Sequence, residues 1–517
     1  MTRTSPAPMF LGMFAERTPD KPAVVMASSG ATLTYAELER GSNQVAQAMR
    51  RAGLRRGDHV AYLLENCPTA FEIIWGATRA GCYYTPINVR LSAAEAAYIV
   101  RDSGCTVLFV SARYSATAEE MMRLVPEVPL LISVEGTIHG FRTYEETVRT
   151  EPTEPILDES QGSSMKYSAG TTGRPKGVKR PLPEGAFAAA DPWLDSLCEL
   201  YGWGSDTRYL CPAPLYHGAG LWYTTAMHRI GATAIVMERF DAEGMLRGIE
   251  QYAVTCVQVV PTMLIRALRL PEDVRTSYDL SSLSSVIHSA APCPIPVKEA
   301  MLDWLGPIVY EYYAGTEGIG YCWISPQEWL THRGSVGRPK VGVAHIVDGD
   351  GNELPVGETG AIYFETVGEP FAYHGDAEKT ARSRHPKGWT TADDVGHLDA
   401  DGYLYLSDRR SHLIISGGVN IYPQEVEDFL ITHPAVDDAA VIGAPNDEFG
   451  EEVKAVVVTT PGAAAGPELA RRLIEDCRRA LAHYKCPRTV DFVPELPRGE
   501  NGKLYKRQIR DAYWPQR

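Results

Sequence analysis

The segment that most constrains this chain is a run of glycines and hydroxyl residues ending in a lysine: Tyr167-Ser168-Ala169-Gly170-Thr171-Thr172-Gly173-Arg174-Pro175-Lys176-Gly177-Val178. Glycines let backbone N–H groups turn toward an anion, the serine and threonine hydroxyls add donors, and Lys176 adds a positive charge. The composition predicts a loop that binds polyphosphate. The spacing of a Walker P-loop is absent, so the P-loop fold does not follow. A flexible linker has a similar composition, and the rest of the chain decides between the two readings.

Length and charge narrow the class of protein. A chain of 517 residues is too long for one hydrophobic core and predicts two or more domains. Its formal net charge of −15 argues against a nucleic-acid partner, since phosphate backbones attract basic faces. The ten cysteines are scattered without a C-x-x-C pair, which predicts reduced thiols in the core.

The sequence also lacks the usual targeting features. No apolar run reaches about 18 residues, and the N-terminus has no basic-then-apolar layout. No peroxisomal tripeptide or prenylation box ends the chain. We expect a cytoplasmic protein, and the sequence leaves open association with a membrane surface.

Alternating helix and strand patterns predict an α/β fold. Capping boxes at Thr34 to Glu37 and Ser92 to Glu95 should open helices, and short apolar runs such as 59–64 and 107–110 should be strands of parallel sheets. From Gly334 to Asp408, glycine and aspartate turns predict a β-rich subdomain of hairpins. After Asp408, the order of helices and strands differs from that of the preceding segments. We therefore predict a large N-terminal domain over 1–409 and a small α+β domain over 410–517.

Three further segments carry polar or charged residues at positions where packing of the core does not require them. Thr316 and Glu317 follow an apolar run, beyond a strand end where ligands of α/β sheets bind, and suit Mg²⁺; a helix N-cap is the alternative reading. Asp394 and Arg409 could bind ribose hydroxyls and phosphate, or simply be surface charges. Lys503 lies in the loop Pro497-Arg498-Gly499-Glu500-Asn501-Gly502-Lys503, where a lysine is usually only solvated.

In this order, the motifs resemble those of the AMP-forming acyl-CoA synthetases of the adenylate-forming superfamily, over roughly residues 10 to 510. Within that superfamily, three stretches are most similar to fatty, steroid-side-chain, bile-acid and carnitine CoA ligases: 288–294, 310–313 and 416–425. The resemblance implies ATP, Mg²⁺ and coenzyme A as cofactors and a hydrophobic carboxylic acid as substrate. It leaves open a homodimer.

The resemblance also implies a role for individual residues. Catalytic roles fall to Lys503, Glu317, Thr316 and His217, with Glu317 holding the metal. Lys503 would reach the carboxylate and α-phosphate while charge develops, so that catalysis is positioning and electrostatic stabilisation. The implied nucleotide- and cofactor-binding residues are Ser168, Gly170, Thr171, Thr172, Gly173, Lys176, Ala290, Ala291, Pro292, Tyr312, Tyr313, Asp394, Arg409, Gly417 and Gly418.

A second half-reaction, transfer to a thiol, requires Lys503 to leave the site. In the family the small domain swings about a hinge, which here is Ser411; relatives often have Asp or Lys there. Gly417 and Gly418 would then face the pantetheine arm, although a simple turn would also use glycines.

Two departures from the family pattern bear on specificity. Ala392-Asp393 stands where relatives carry Thr-Gly, so that two acids are adjacent, and the register favours Asp394 as the ribose ligand. Gly315 is small for its position, and with Tyr216, His217 and Ala314 it is predicted to line a roomy acyl pocket.

Other functions are less well supported. An amino-acid adenylation module would need an acid near Tyr216 and His217 to pair with an ammonium, and none is present. Loading of a free-standing carrier protein stays open, and no sequence feature recommends a luciferase-like oxygenase. A catalytically silent nucleotide-binding protein would have no chemical reason to keep Lys176, Glu317, Asp394, Arg409 and Lys503 together.

Overall fold

The structure, a computed structural model, describes residues 10–168, 175–368, 370–409, 412–417, 419–499 and 504–514, without the side chains of Ser168, Arg409 and Asn420. The chain divides into two compact units. The first contains residues 1–259, 270–286 and 369–380, and the second contains 260–269, 287–368 and 381–517. The predicted domain boundary at residues 409 and 410 lies within the second unit and stays a prediction.

The first part of the chain alternates helices and strands. Its elements are α1 (Leu11–Arg17), β1 (Pro22–Met26), β2 (Thr32–Thr34), α2 (Tyr35–Arg51), β3 (His59–Leu63), α3 (Pro68–Arg79), β4 (Tyr83–Pro86), α4 (Ala93–Ser103), β5 (Val107–Ser111), α5 (Ser115–Leu124), β6 (Leu130–Val134), β7 (Arg142–Thr143), α6 (Tyr144–Thr147), β8 (Ser163–Ser164) and β9 (Lys166–Ser168).

The alternation continues through the middle of the chain. There the elements are β10 (Lys176–Lys179), α7 (Pro192–Tyr201), β11 (Arg208–Cys211), α8 (Gly218–Arg229), β12 (Thr233–Val236), α9 (Ala242–Tyr252), β13 (Cys256–Val259), α10 (Pro261–Leu268), α11 (Glu272–Arg275), β14 (Ser285–His288) and α12 (Ile295–Leu305).

Both predicted capping boxes are confirmed. Thr34 Oγ1 accepts the Glu37 N–H, and the Glu37 carboxylate accepts the Thr34 N–H, so α2 begins with two of its free donors satisfied. Ser92 and Glu95 make the same reciprocal contacts at the start of α4.

The described strands of the first unit belong to three sheets. One has the order β7-β6-β5-β3-β4-β8 and is parallel throughout. A second has β13, β11, β12 and β1 in parallel, with β2 antiparallel at its edge. In a third, short sheet, β10 pairs antiparallel with β9 and with a later strand, Ala372–Tyr373. The α/β fold with parallel sheets is confirmed.

Apolar residues from helices and strands form the core of the parallel sheet. Leu63 and Leu108 on strands and Ile99 and Met121 on helices are almost fully buried in one cluster. Burial of both faces explains why these strands are continuous apolar runs and not alternating ones.

The next part of the chain contains the predicted β-rich stretch. Its elements are β15 (Val309–Ala314), β16 (Tyr321–Ile324), α13 (Pro326–Thr331), β17 (Ser335–Val341), β18 (Val343–Val347), β19 (Gly360–Glu365), β20 (Ala372–Tyr373), α14 (Ala377–Arg382), β21 (Asp394–Leu398) and β22 (Leu404–Arg409). Within the second unit, β15, β16, β17, β22, β21, β19 and β18 follow one another with antiparallel pairing. The prediction of hairpins is confirmed.

The C-terminal part forms a separate sheet in the second unit. Its elements are β23 (Ile414–Ser416), β24 (Val419–Ile421), α15 (Gln424–Ile431), β25 (Val436–Asn446), β26 (Gly450–Thr459), α16 (Pro467–Ala480), β27 (Thr489–Phe492) and α17 (Lys506–Tyr513). Its strand order is β24-β23-β26-β25, and β27 joins β26 in parallel. Val426, Leu430, Val441 and Leu473 are fully buried in its core.

All ten cysteines are free. Eight are buried as predicted, whereas Cys198 and Cys293 are only partly buried. Within the described part of the chain, no helix is long and apolar enough to cross a membrane.

Candidate nucleotide-binding site

The phosphate-binding segment predicted from the sequence lies in the first unit. Ser168 ends β9 and pairs with Lys176, the first residue of β10. Residues 169–174 between them, including Gly170, Thr171, Thr172 and Gly173, lie outside the described residues. The Lys176 Nζ is 3.0 Å from Asp376 Oδ2, and each side chain is 22% exposed.

The predicted acyl-pocket residues of the first unit lie at the start of α8. His217 is the residue before that helix, and its ring meets the ring of Tyr216 edge-on at 4.7 Å. A Cβ on Gly218 would lie 3.1 Å from Lys166 Nζ, so a lysine of β9 reaches the same segment.

The predicted adenine segment follows β14 in the second unit. Ala290 has φ +74°, which is uncommon for a residue with a side chain and costs free energy. Ala290 and Pro292 are exposed, and Ala291 is half-buried. Residues held in this backbone region often mark sites that approach a ligand.

Thr316 and Glu317 do not begin a helix, so the alternative reading as a helix N-cap is wrong. They lie in the connection between β15 and β16, which pair antiparallel with Ala314 opposite Tyr321. Strand pairing immediately after the turn leaves no helix for these residues to cap. A hydroxyl and a half-buried carboxylate are hard oxygen donors, which fit Mg²⁺.

Gly315 lies against the predicted magnesium ligand. A Cβ at this position would be 3.1 Å from Glu317 Oε2 and 3.8 Å from the Ala392 Cβ. A larger side chain would therefore press on Glu317 as well as fill space near Ala314.

Strand pairing brings the predicted ribose and phosphate residues together. Asp394, the first residue of β21, stands directly opposite Arg409, the last residue of β22. The Tyr313 hydroxyl donates to Asp394 Oδ2 at 2.6 Å, so this carboxylate is oriented by β15. Asp393 is exposed and has φ +66°.

A buried charged cluster lies beside these segments. The Lys298 ammonium on α12 is 2.6 Å from Glu311 Oε2 on β15, and the His288 Nε2 on β14 is 3.5 Å from the same oxygen. All three side chains are buried. Burial and the nearby Lys298 hold the pKa of His288 well below its usual value, so it is neutral. Glu311 directly precedes Tyr312, and His288 is two residues before Ala290.

Tyr312 and the glycine hairpin occupy ordinary structural positions. The Tyr312 ring stacks on Tyr321 at 5.2 Å. Gly417 has φ +55° in the turn between β23 and β24, and its N–H donates to the Phe449 carbonyl at 2.9 Å. This turn requires the left-handed region that glycine tolerates. Gly418, Ser411 and Lys503 lie outside the described residues, as does the Arg409 side chain.

Sequence reasoning missed Asp376, Lys166 and the Lys298–Glu311 pair. Each contacts a predicted site residue or a segment next to one, but from a distant part of the chain. Only the Asp-x-x-Lys spacing before α14 carried a signal, and it indicates a helix cap rather than a lysine partner.

Two comparisons establish the class of protein. The chain belongs to the AMP-binding enzyme family: that family model matches residues 12–368, and the AMP-binding enzyme C-terminal domain matches residues 425–503. The predictions of an enzyme, of the adenylate-forming superfamily, and of ATP, Mg²⁺ and coenzyme A as cofactors are confirmed. The function is therefore AMP-forming ligation of an acid to coenzyme A or an acyl carrier protein.

Several characterised proteins are similar along their whole length. The chain is 32% identical to the fatty acid–[acyl-carrier-protein] ligase ScoC of Streptomyces coeruleorubidus, covering 97% of this chain and 95% of that protein. It is 34% identical to a feruloyl-CoA synthase of an Amycolatopsis species, covering 95% and 96%. Among solved structures, o-succinylbenzoate CoA synthetase (MenE) from Bacillus subtilis, in complex with its acyl-adenylate intermediate, matches with a TM-score of 0.79 at 28% identity, covering 98% of each chain.

Proposed function

We propose that the protein is a carboxylic acid:CoA ligase that adenylates a hydrophobic acid, a fatty acid or a bulky cyclic or steroid-like one, and then transfers the acyl group to coenzyme A. The observation that carries this proposal is the arrangement around Asp394. Tyr313 orients its carboxylate, and Arg409 stands opposite on the paired strand. A carboxylate and a guanidinium on adjacent strands suit the ribose and phosphate of one nucleotide.

The other residues named in the sequence analysis are assigned to the nucleotide, the metal and the pantetheine arm. Lys176 would bind the β- and γ-phosphates, and Thr316 and Glu317 would hold phosphate and Mg²⁺. Ala290 to Pro292 with Tyr312 and Tyr313 would line the adenine. Lys503 would stabilise charge during adenylation, and it is the last residue of the C-terminal family match. Ser411 would be the hinge between domains 1–409 and 410–517, with Gly417 and Gly418 facing the pantetheine arm.

The acid is proposed from the small residues of the acyl pocket and from the relatives. Gly315 and Ala314 leave room, and Tyr216 and His217 offer aromatic surface. The relatives named above include enzymes of fatty and of aromatic acids. Residence in the cytoplasm, association with a membrane surface and a homodimer stay predictions.

A second candidate has the same first step and a different acceptor. The similarity to ScoC favours a free-standing carrier protein as the thiol that receives the acyl group. Carrier thiols and coenzyme A share the pantetheine arm, so both would enter past Gly417.

The function is tested by pyrophosphate release with a panel of acetate-sized, long-chain, aromatic and polycyclic acids. Each acid is assayed alone, with coenzyme A, and with phosphopantetheinylated carrier protein. We expect release to be greatest with the larger hydrophobic acids and thioester to form with coenzyme A. Thioester formed only on the carrier protein would select the second candidate, and no release with any acid would refute both.

Lys503→Ala separates the two half-reactions. The variant should lose about a hundredfold or more of its adenylation rate, because a cation that stabilises developing charge contributes at least that much. Thioester formation from a supplied acyl-adenylate should continue at the parent rate. Parent-like pyrophosphate release would remove Lys503 from the mechanism.

A further inference from the structure

Asp376 is held rigidly beside the predicted phosphate-binding lysine. It directly precedes α14, and its main-chain oxygen accepts the Thr380 N–H at 3.0 Å and the Thr380 hydroxyl at 2.8 Å. The Lys379 N–H donates to Asp376 Oδ1 at 2.9 Å. These bonds cap the helix and fix the carboxylate. The other oxygen, Oδ2, is the one that contacts Lys176.

The lysine is fixed to the same turn by main-chain hydrogen bonds. The His374 N–H donates to the Gly177 carbonyl at 2.8 Å, and Val178 pairs with Tyr373. Lys176 and Asp376 therefore project from adjacent segments of one small sheet. Their contact follows from strand pairing and helix capping, which distinguishes it from a chance encounter of two long surface side chains.

The ion pair changes the electrostatics of the predicted phosphate site. The Lys379 N–H and the Lys176 ammonium hold the pKa of Asp376 below its usual value, and the Asp376 carboxylate raises the pKa of Lys176. Both groups are charged at neutral pH, so Asp376 cancels the charge that should attract phosphate. A polyphosphate that approaches Lys176 also meets this carboxylate.

Lys179 on β10 and Lys379 on α14 have contacts of their own. The Lys179 Nζ is 3.3 Å from the His59 Nε2, and the Lys379 Nζ lies over the Tyr373 ring at 3.9 Å. The Lys176 ammonium is the group that lies 3.0 Å from the Asp376 Oδ2.

We propose that Asp376 is the resting partner of Lys176, that the β- and γ-phosphates of ATP displace it, and that it thereby lowers the affinity of the site for nucleoside triphosphate. The inference rests on the proposed function, in which Lys176 binds those phosphates. Asp376 would make ATP binding weaker than Lys176 alone would allow, and would do so without affecting ligands that lack the outer phosphates.

Asp376→Asn tests the proposal, because asparagine caps a helix and accepts a hydrogen bond from lysine but carries no charge. Binding of MgATP and of AMP is measured by calorimetry without carboxylic acid, so that no turnover occurs. We expect MgATP to bind about two- to fivefold more tightly, the range that a partly exposed ion pair represents, and AMP binding to be unchanged. The gain should shrink as salt is raised.

Glu378→Gln is the matched control. It removes the same charge from the exposed surface of the same helix, two residues further on. If it tightens MgATP binding as much as Asp376→Asn, the effect is a general charge effect and the proposal is wrong. Equal melting temperatures of the variants and the parent will show that the helix cap is retained.

Other outcomes would overturn the proposal in identifiable ways. Weaker MgATP binding in Asp376→Asn, or a raised requirement for Mg²⁺, would mean that the carboxylate assists the nucleotide or binds its metal. Unchanged MgATP binding would mean that the ion pair does not compete with phosphate.

Lys176→Met separates failure of this proposal from failure of the proposed function. If Lys176→Met weakens MgATP binding while Asp376→Asn does not strengthen it, only the role of Asp376 is wrong. If Lys176→Met leaves MgATP binding unchanged, Lys176 does not bind phosphate, and both assignments fall. A parent protein that binds neither MgATP nor AMP would refute the proposed function itself.

Discussion

The two units carry their predicted nucleotide-binding residues in different ways. In the first unit, Lys176 lies on a short strand of a small sheet and meets one partly exposed carboxylate. In the second unit, Asp394 is fixed by strand pairing and by Tyr313 of β15, and the same strand carries Glu311 of the buried pair with Lys298.

The difference concerns how firmly each group of residues is held in place before a nucleotide binds. The residues proposed for ribose and adenine are arranged before a ligand arrives, so little ordering is needed when it binds. In our proposal, Lys176 exchanges Asp376 for the outer phosphates when ATP binds. We therefore expect variants of the ribose- and adenine-binding residues of the second unit to affect ATP and AMP alike, and variants of Lys176 in the first unit to affect mainly ATP.

Removing the buried lysine should have the largest effect. Lys298→Met leaves the Glu311 carboxylate buried without its partner, which should lower the free energy of unfolding by about 3–5 kcal/mol in urea denaturation. Lys485→Met, which removes a similar lysine from the exposed pair with Glu425, is the control and should cost under about 1 kcal/mol. Equal losses would show that the buried pair does not rigidify the second unit.

A double variant sharpens the same test. Lys298→Met combined with Glu311→Leu removes both charges and should recover most of the lost stability, because the penalty comes from a single unpaired charge. If stability returns but the double variant binds AMP more weakly than the parent protein does, the pair also positions the strand ends.

Asp394→Asn should weaken binding of ATP and AMP equally, by about tenfold to a hundredfold, since hydrogen bonds to a charged group contribute about 1.5–3 kcal/mol. The measurement is calorimetry with each nucleotide. Asp393→Asn is the control and should change neither affinity. The reverse result would make Asp393 the ribose ligand, and a loss for ATP alone would break the contrast between the two units.

Lowering the pH should destabilise the first unit, because the His59 imidazole is held neutral in the folded protein. Burial, and then the Lys179 charge, lower the pKa of this imidazole to about 4. The unfolded chain binds a proton near pH 6.5 and the folded chain does not, so stability present above pH 6.5 is lost as pH falls toward 4. After allowance for the partial exposure of the ring, we expect a loss of about 1–2 kcal/mol from this group.

His59→Asn provides the measurement. The free energy of unfolding of the variant, followed between pH 7 and pH 4, should fall less steeply than that of the parent. If the free energy of unfolding falls equally steeply with pH in both proteins, protonation of His59 does not contribute to the acid sensitivity, and its contact with Lys179 between β3 and β10 is not the cause.

The smallest effect is expected from Tyr313→Phe. This change removes the hydroxyl that orients Asp394 and keeps the ring, at a cost of about 1 kcal/mol, or about fivefold in affinity for both ATP and AMP. A change confined to ATP would show that Tyr313 acts on the phosphates and not through the ribose carboxylate.

Local signals in the sequence predicted local structure well. The capping boxes at Thr34 and Ser92 and the apolar strands of the parallel sheet needed only neighbouring residues, and the motif order identified the family. The turn at Glu317 was open to a helical reading because its geometry is set by pairing of β15 with β16. Asp376 could not be found, because an ion pair between distant segments leaves no spacing pattern in a single sequence. Lys298 pairs with Glu311 across the connection from α12 to β15, and that contact depends on how the helix packs and not on a fixed spacing.

The pairing of Asp394 with Arg409 also limits how this hairpin can change length. A β-bulge lies between Val395 and Gly396, and a Cβ on Gly396 would lie 2.1 Å from the Tyr405 carbonyl oxygen, so the strands approach closely there. Adding or deleting one residue in β21 between the bulge and Asp394 would turn the Asp394 side chain to the opposite face of the sheet. We expect insertions to be tolerated at the exposed tip of the hairpin, residues 400 and 401, where they leave the spacing between the bulge and Asp394 unchanged.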